Sequence, residues 1–170
     1  MIIIRNFNNL AGFYNRHMFR LNKMTDYAIL VLGVLHSRRD QLLSSAQIAE
    51  VAQLSQPTVA KLIKMLVGAG LVDTIRGTKG GCQLARLSDQ ISVADVIEAV
   101  EGPIALTACV DNAEDACGVQ NGCFMSGNWN HVNSAIHQAL DGVSLTNLFD
   151  PASLFPIESD RQKPTPQAEV

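Results

Sequence analysis

Three cysteines in one short stretch of this 170-residue chain, Cys109, Cys117 and Cys123, are the residues whose types and spacing best suit chemistry. Seven residues separate the first two and five the last two, with Gly118 and Gly122 between them and carboxylates at Asp111, Glu114 and Asp115. Structural zinc usually takes thiolates from C-x2–4-C knuckles and ferredoxin-type carriers from C-x2-C runs, and neither spacing is present. Disulfides would pair two thiols and strand the third. Thiol catalysis needs a base and an orienting group, and no such arrangement is legible. Three soft thiolates on a glycine-containing loop suit an iron–sulfur cluster completed by one ligand other than cysteine, while spacing alone leaves inert thiols open. Cys82 stands apart in a short strand and reads as a small buried hydrophobe.

A second set of residues suits nucleic acid. Ser44 and Ser45 are good helix caps, and 46–53 forms a compact helix with Ile48, Ala49 and Ala52 on one face. Ser55 caps the next helix, and Pro57 sits early in it, where a missing N–H costs little. Val59, Leu62, Ile63 and Leu66 then repeat at helical spacing as a core stripe. The opposite face carries Gln56, Thr58, Lys61 and Lys64, with no carboxylate, as insertion into a major groove requires. A strand over 71–76, the turn Gly77-Thr-Lys-Gly-Gly81 and a return strand over 82–87 follow, placing Arg76, Lys79 and Arg86 where phosphates would lie. Helix, helix and two-stranded ribbon predict a winged helix-turn-helix; the bland alternative is a helical domain with a solvated cationic surface.

Net charge is −3, which taken alone speaks against nucleic acid. Its distribution reverses that inference. Residues 18–86 hold nine Lys/Arg against four Asp/Glu, whereas 87–170 hold two against twelve. A basic half joined to an acidic half describes a DNA-facing module attached to one that is not. No apolar run is long enough to span a membrane, and the first residues lack the cationic start and apolar core of a signal peptide, so a cytoplasmic protein with reduced thiols is expected.

The remaining elements must position these two sets. Asn22 caps a first helix from Lys23 to about His36, apolar nearly all round and so expected to be buried on more than one side, with Asp26 in its first turn beside the positive helix end. Ser92-Val-Ala-Asp95 is a variant capping box that opens a helix ending at Gly102 and Pro103. The cysteine stretch has no clear period and is too long for an idle connection. From Asn128 a helical stripe returns, Trp129, Val132, Ile136, Ala139 and Leu140, and this helix is expected to pair two subunits, with one further capped turn over 144–149. The expected organisation is therefore mainly α with a small β-hairpin. Residues 1–17 are an extension and Met18 the translation start, 18–102 a DNA-binding domain and 103–127 a cofactor-binding loop. A dimerisation helix and final turn over 128–149 and a proline-rich, disordered tail over 150–170 complete the chain.

The chain resembles the iron–sulfur and redox-sensing branch of the Rrf-type transcription regulators, the branch of IscR and NsrR, over about 18–149. The resemblance rests on Leu21-Asn-Lys-Met-Thr-Asp-Tyr-Ala28, the helix pair around Ile48-Ala49 and Lys61–Leu71, and Arg76-Gly-Thr-Lys-Gly-Gly81 followed by Leu84-Ala-Arg86. To these it adds Val93-Ala-Asp-Val-Ile97, the three cysteines and Trp129. The opening segment is most similar to the subgroup controlling the SUF iron–sulfur assembly operon. The resemblance implies a homodimeric DNA-binding regulator rather than an enzyme, acting as a repressor. It also implies an iron–sulfur cluster (2Fe–2S in preference to 4Fe–4S) on Cys109, Cys117 and Cys123. For the fourth ligand the family offers a histidine three residues after the last cysteine, where this chain has Ser126, or an acidic first-helix residue from the opposite subunit, where it has Asp26; His131 and water are the fallbacks. The first spacing, seven rather than the more usual five, is a further departure. A cluster-free thiol-sensing regulator and a cluster carrier that does not bind DNA are the competing expectations.

Overall fold

The computed structural model describes residues 21–150 apart from 78, 112, 114–116, 119–122, 124 and 126. The expected extension, Met18 and the tail beyond Asp150 lie outside the described residues. Six helices and one hairpin are described: α1 (Lys23–Ser37), α2 (Ser45–Ala52), α3 (Gln56–Gly68), β1 (Val72–Ile75), β2 (Gly81–Leu84), α4 (Val93–Glu101), α5 (Asn128–Asp141) and α6 (Leu145–Phe149).

Helix α1 is the element on which the others converge, packing against α2, α3, α4, α6 and β2. Thr25, Ala28, Val31, Leu32, Val34 and Leu35 are buried along it, as its nearly continuous apolar sequence requires. Leu30 is the exception at 50% exposure, on a side that none of the described elements covers. Local chemistry sets the helix ends. Asn22 accepts the Met24 N–H, while Ser44 with Gln47, Ser92 with Asp95 and Ser144 with Asn147 form reciprocal capping boxes. Each such cap is worth about 1 kcal/mol.

Between α2 and α3 the chain reverses through Gln53 in the left-handed conformation, φ 54°, with its N–H directed to the carbonyls of Ala49 and Glu50. A non-glycine there costs roughly 1–2 kcal/mol, set against the buried stripe Val59, Leu62, Ile63 and Leu66 that the turn delivers to the core. The hairpin pairs antiparallel in the register Val72↔Leu84 to Ile75↔Gly81. Leu43 adds a bridge on its outer edge, exchanging hydrogen bonds of 3.1 and 2.7 Å with Cys82. Chain segments 91–93 and 143–145 are tied by Val93 N–H to the Val143 carbonyl and Leu145 N–H to the Ile91 carbonyl, both 2.8 Å. That tie returns α6 to α1, where the Phe149 ring sits against Gly33 and stacks on His36 with centroids 5.3 Å apart.

The stripe on α5 departs from a core stripe. Trp129 and Val132 are 36% and 44% exposed, and the buried residue of α5 is Asn133. A periodic apolar face registers burial against any partner; here Ile136 and Leu140 are half-buried, while among the described residues Trp129 and Val132 are left open. Truncating Leu62, which is fully buried in α3, to alanine should cost about 2–5 kcal/mol. Urea unfolding should show this as a lower midpoint with an unchanged slope.

Candidate functional site

The outer face of α3 carries Gln56, Lys61 and Lys64, all exposed. Thr58 is half-buried, and its hydroxyl is already shared with that of the capping Ser55 at 2.7 Å. The helix contains no carboxylate. Its first turn presents N–H groups and its flank presents ammonium groups, an arrangement that accepts phosphates and base edges.

The wing is shaped by sterics. Gly77 has φ 121°, a conformation that other residues avoid. A Cβ on Gly80 would overlap the Ile75 carbonyl oxygen, and one on Gly81 would come within 2.9 Å of the backbone of Leu42 and Leu43. The glycines thus let the turn close and the hairpin seat against Leu43, leaving Arg76 and Lys79 exposed near the tip. Thr78 lies outside the described residues. Arg86 is held differently from Arg76 and Lys79. Its guanidinium donates to the Gln90 carbonyl at 3.2 Å and pairs with Asp95 at 3.3 Å, on the capping box of α4. Both partners are partly exposed, so the pair is worth no more than about 1 kcal/mol and can exchange for a stronger anion. A cleft of about 600 Å³ beside it is also lined by His36, Arg39 and Asp40, residues distant from Arg86 in sequence.

The cysteine segment leaves α4 through Gly102, φ 86°, and is anchored to α5 by asparagines. Asn133 donates to the Ile104 carbonyl at 2.8 Å and accepts the Leu106 N–H at 3.0 Å. Asn130 accepts the Asp111 N–H at 3.1 Å and donates to its carboxylate at 2.9 Å. These contacts were not legible in sequence, because a buried asparagine on a helix shows no period. Cys109, Cys117 and Cys123 are free and half-buried. A hydrogen bond with the Cys117 thiol, then partial burial and the neighbouring charge of Cys117, push the Cys109 thiol above its ordinary range; Cys123 adds to this and the Thr107 hydroxyl opposes it. Cys109 is thus the thiol that feels both of the others. Among the described residues no three His, Cys, Asp or Glu side chains form a closed metal cage. The donors are gathered, soft and partly sheltered, a set that fits an iron–sulfur cluster in kind.

Of the expected fourth ligands, Asp26 is exposed on the first turn of α1, and among the described residues no hydrogen bond or ion pair joins its carboxylate to the cysteine segment. His131 is exposed on α5, and Ser126 lies outside the described residues. Cys82 is buried on the hairpin strand β2, and burial raises its thiol pKa.

A helix pair with a cationic second helix, followed by a glycine-shaped wing, defines the winged helix-turn-helix class of DNA-binding proteins. The model of the Rrf2 family, described as iron-dependent transcriptional regulator, matches residues 21–151, and the chain belongs to that family. It is 34% identical over 129 residues to the HTH-type transcriptional regulator NsrR of Oceanobacillus iheyensis, spanning 75% of this chain and 88% of that one. Among solved structures it is similar to CymR, the global cysteine regulator of B. subtilis, with 26% identity, a TM-score of 0.58, and 77% of this chain and 96% of that one covered. It is likewise similar to T. potens IscR, with 27% identity, a TM-score of 0.56, and 79% and 88% covered. The chain is accordingly a DNA-binding transcription regulator rather than an enzyme. No helix among the described residues is long and apolar enough to cross a membrane.

Burial keeps the Cys82 proton in the folded state at a pH where the unfolded chain releases it. The stabilisation from this group is thus complete below the ordinary thiol range and declines as pH rises through and beyond it. In iodoacetamide labelling of the native protein at pH 8, read by peptide mass spectrometry, Cys82 should be the last thiol modified, and denaturant should erase its protection.

Proposed function

We propose that the chain is an iron–sulfur-cluster-dependent homodimeric transcription repressor acting on iron–sulfur assembly (SUF) or redox-stress genes. The observation that carries this reading is three half-buried thiols on one segment whose start is anchored to α5, with Cys109 hydrogen-bonded to Cys117, beside a DNA-binding fold. Cys109, Cys117 and Cys123 hold the cluster, of two-iron type in preference to four-iron, and Asp26 of the partner subunit completes its ligand set. When bound, the cluster supplies a soft redox-active centre sensitive to oxidants, nitric oxide and iron shortage. The exposed, uncommitted carboxylate of Asp26 and the open Leu30 beside it on α1 support a surface that awaits a second copy. The exposed pair Trp129 and Val132 supports pairing through α5. By this reading 18–102 is the DNA-binding unit, 103–127 the sensing segment, and 128–149 the dimerisation helix with its final turn.

On DNA, the two α3 helices enter successive major grooves of a near-palindromic site. Gln56, Thr58 and Lys61 read base edges, Thr58 by giving up its hydrogen bond with Ser55. Lys64, Arg76 and Lys79 hold phosphates, and Arg86 does so by exchanging Asp95 for a phosphate. One observation favours a second reading, a regulator that uses its thiols without a cluster: the described residues form no closed metal cage.

Lys79→Ala should weaken binding to every DNA sequence alike and reduce the slope of log K against log salt by about 0.9. Gln56→Ala should lose roughly 1–3 kcal/mol on the cognate operator and far less on random DNA. Fluorescence anisotropy across a salt series reads both. Asp26→Ala should leave a folded dimer with iron that is lost faster or never acquired; full retention of wild-type iron removes Asp26 from the ligand set.

A further inference from the structure

The first turn of any α-helix leaves N–H groups without backbone partners, and a carboxylate placed there satisfies them and meets the positive end of the helix. In α1 that carboxylate comes from another helix. Glu101, the last residue of α4, accepts the Asn22 N–H at 2.8 Å with Oε1, and the same oxygen accepts the hydroxyl of Thr25. Thr25 is fully buried, so its hydroxyl depends on this contact. The next residue, Gly102, has φ 86° and turns the chain into the cysteine segment, while Asn133 clamps Ile104 and Leu106. A cleft of about 360 Å³ lined by Glu101, Pro103, Leu106, Thr107 and Ala113 lies at this junction. One carboxylate thus ties the root of the cysteine segment to the α1 turn that bears Asp26.

We infer that Glu101 is a positioning residue, a latch that fixes the first turn of α1 relative to the cysteine segment so that a change in one is felt in the other. Asp26 follows Thr25 directly, so the latch sets where its carboxylate is presented. From α1 the effect passes into the core that carries α3, because Ala28, Val31 and Leu32 pack in the same cluster as Val59, Leu62 and Leu66. The inference deepens the proposed sensing role of the segment and rests on it for the nature of the signal. The physical coupling itself is a property of the metal-free chain.

The test uses the full chain, metal-free and with reduced thiols, comparing wild type, Glu101→Ala, Glu101→Gln and Thr25→Val. Two sites are read: hydrogen exchange across the first turn of α1, and the iodoacetamide alkylation rate of Cys109. Losing a hydrogen bond to a charged acceptor should speed exchange at the Asn22 amide roughly tenfold in Glu101→Ala. The Cys109 alkylation rate should change severalfold in the same variant. Glu101→Gln keeps an acceptor oxygen and should stay near wild type at both sites. Thr25→Val alters only the α1 end, so a changed Cys109 rate in it reports transmission, which a merely structural cap would not produce. Unchanged Cys109 reactivity in both Glu101→Ala and Thr25→Val, with exchange altered in α1 alone, overturns the latch. A wild-type protein that never takes up iron instead overturns the cluster reading and leaves this result standing. If Glu101→Ala does not fold, Thr25→Val decides the matter by itself.

Discussion

Burial of α1 among five other elements is the constraint on which the rest depends. Ala28, Val31, Leu32 and Leu35 have essentially no contact with water, and the recognition helix, the hairpin, α4 and the final turn each reach the core by packing against them or their neighbours. Each large side chain of this kind stabilises the fold by about 1.5–3 kcal/mol when removed from water. Because α3 gives its whole apolar stripe to that core, only its polar, cationic side is left facing outward. The cationic surface of α3 is in this sense a consequence of core packing rather than a separate feature.

The same helix also connects the two chemistries of the chain. Its buried face carries the DNA-binding elements, and its first turn is held by the carboxylate that immediately precedes the cysteine segment. The first part of that segment, Ile104, Leu106 and Asp111, is pinned to α5 through Asn133 and Asn130, and the apolar residues Trp129 and Val132 lie open on the same helix. Separate hydrogen bonds therefore hold the start of the segment to α1 and to α5. Hydrogen bonds of this kind are directional and exchange with water or ligands at modest cost, as the proposed sensing role needs.

The parts legible in sequence were those governed by local rules. The stripe Val59, Leu62, Ile63 and Leu66 marks its helix by period, Ser55 and Pro57 mark its start, and Ser92 with Asp95 marks the next; Ser55 and Ser92 are the N-caps and the others lie within the helices, as expected. Boundaries moved by one to three residues, the strands expected over 71–76 and 82–87 being Val72–Ile75 and Gly81–Leu84. What escaped depends on contacts distant in sequence. Glu101 reads as an ordinary last-turn acid until Thr25, far upstream, is found beneath it. Arg86 reads as a wing cation until its pairing with Asp95 is seen. The Trp129 stripe shows why periodicity has a limit, since it reports that a face wants cover but not which chain provides it. The cysteines were legible as a set, whereas their anchoring asparagines were not.

The most direct test of the account is the visible absorption spectrum of the full-length protein purified without oxygen, with iron and acid-labile sulfide assayed on the same sample. The account predicts a brown protein carrying inorganic sulfide, whose colour is lost when any one of Cys109, Cys117 and Cys123 is replaced by alanine and retained when Cys82 is replaced by serine. A colourless wild-type protein that also fails chemical reconstitution would contradict it and leave a winged-helix regulator acting through its thiols alone.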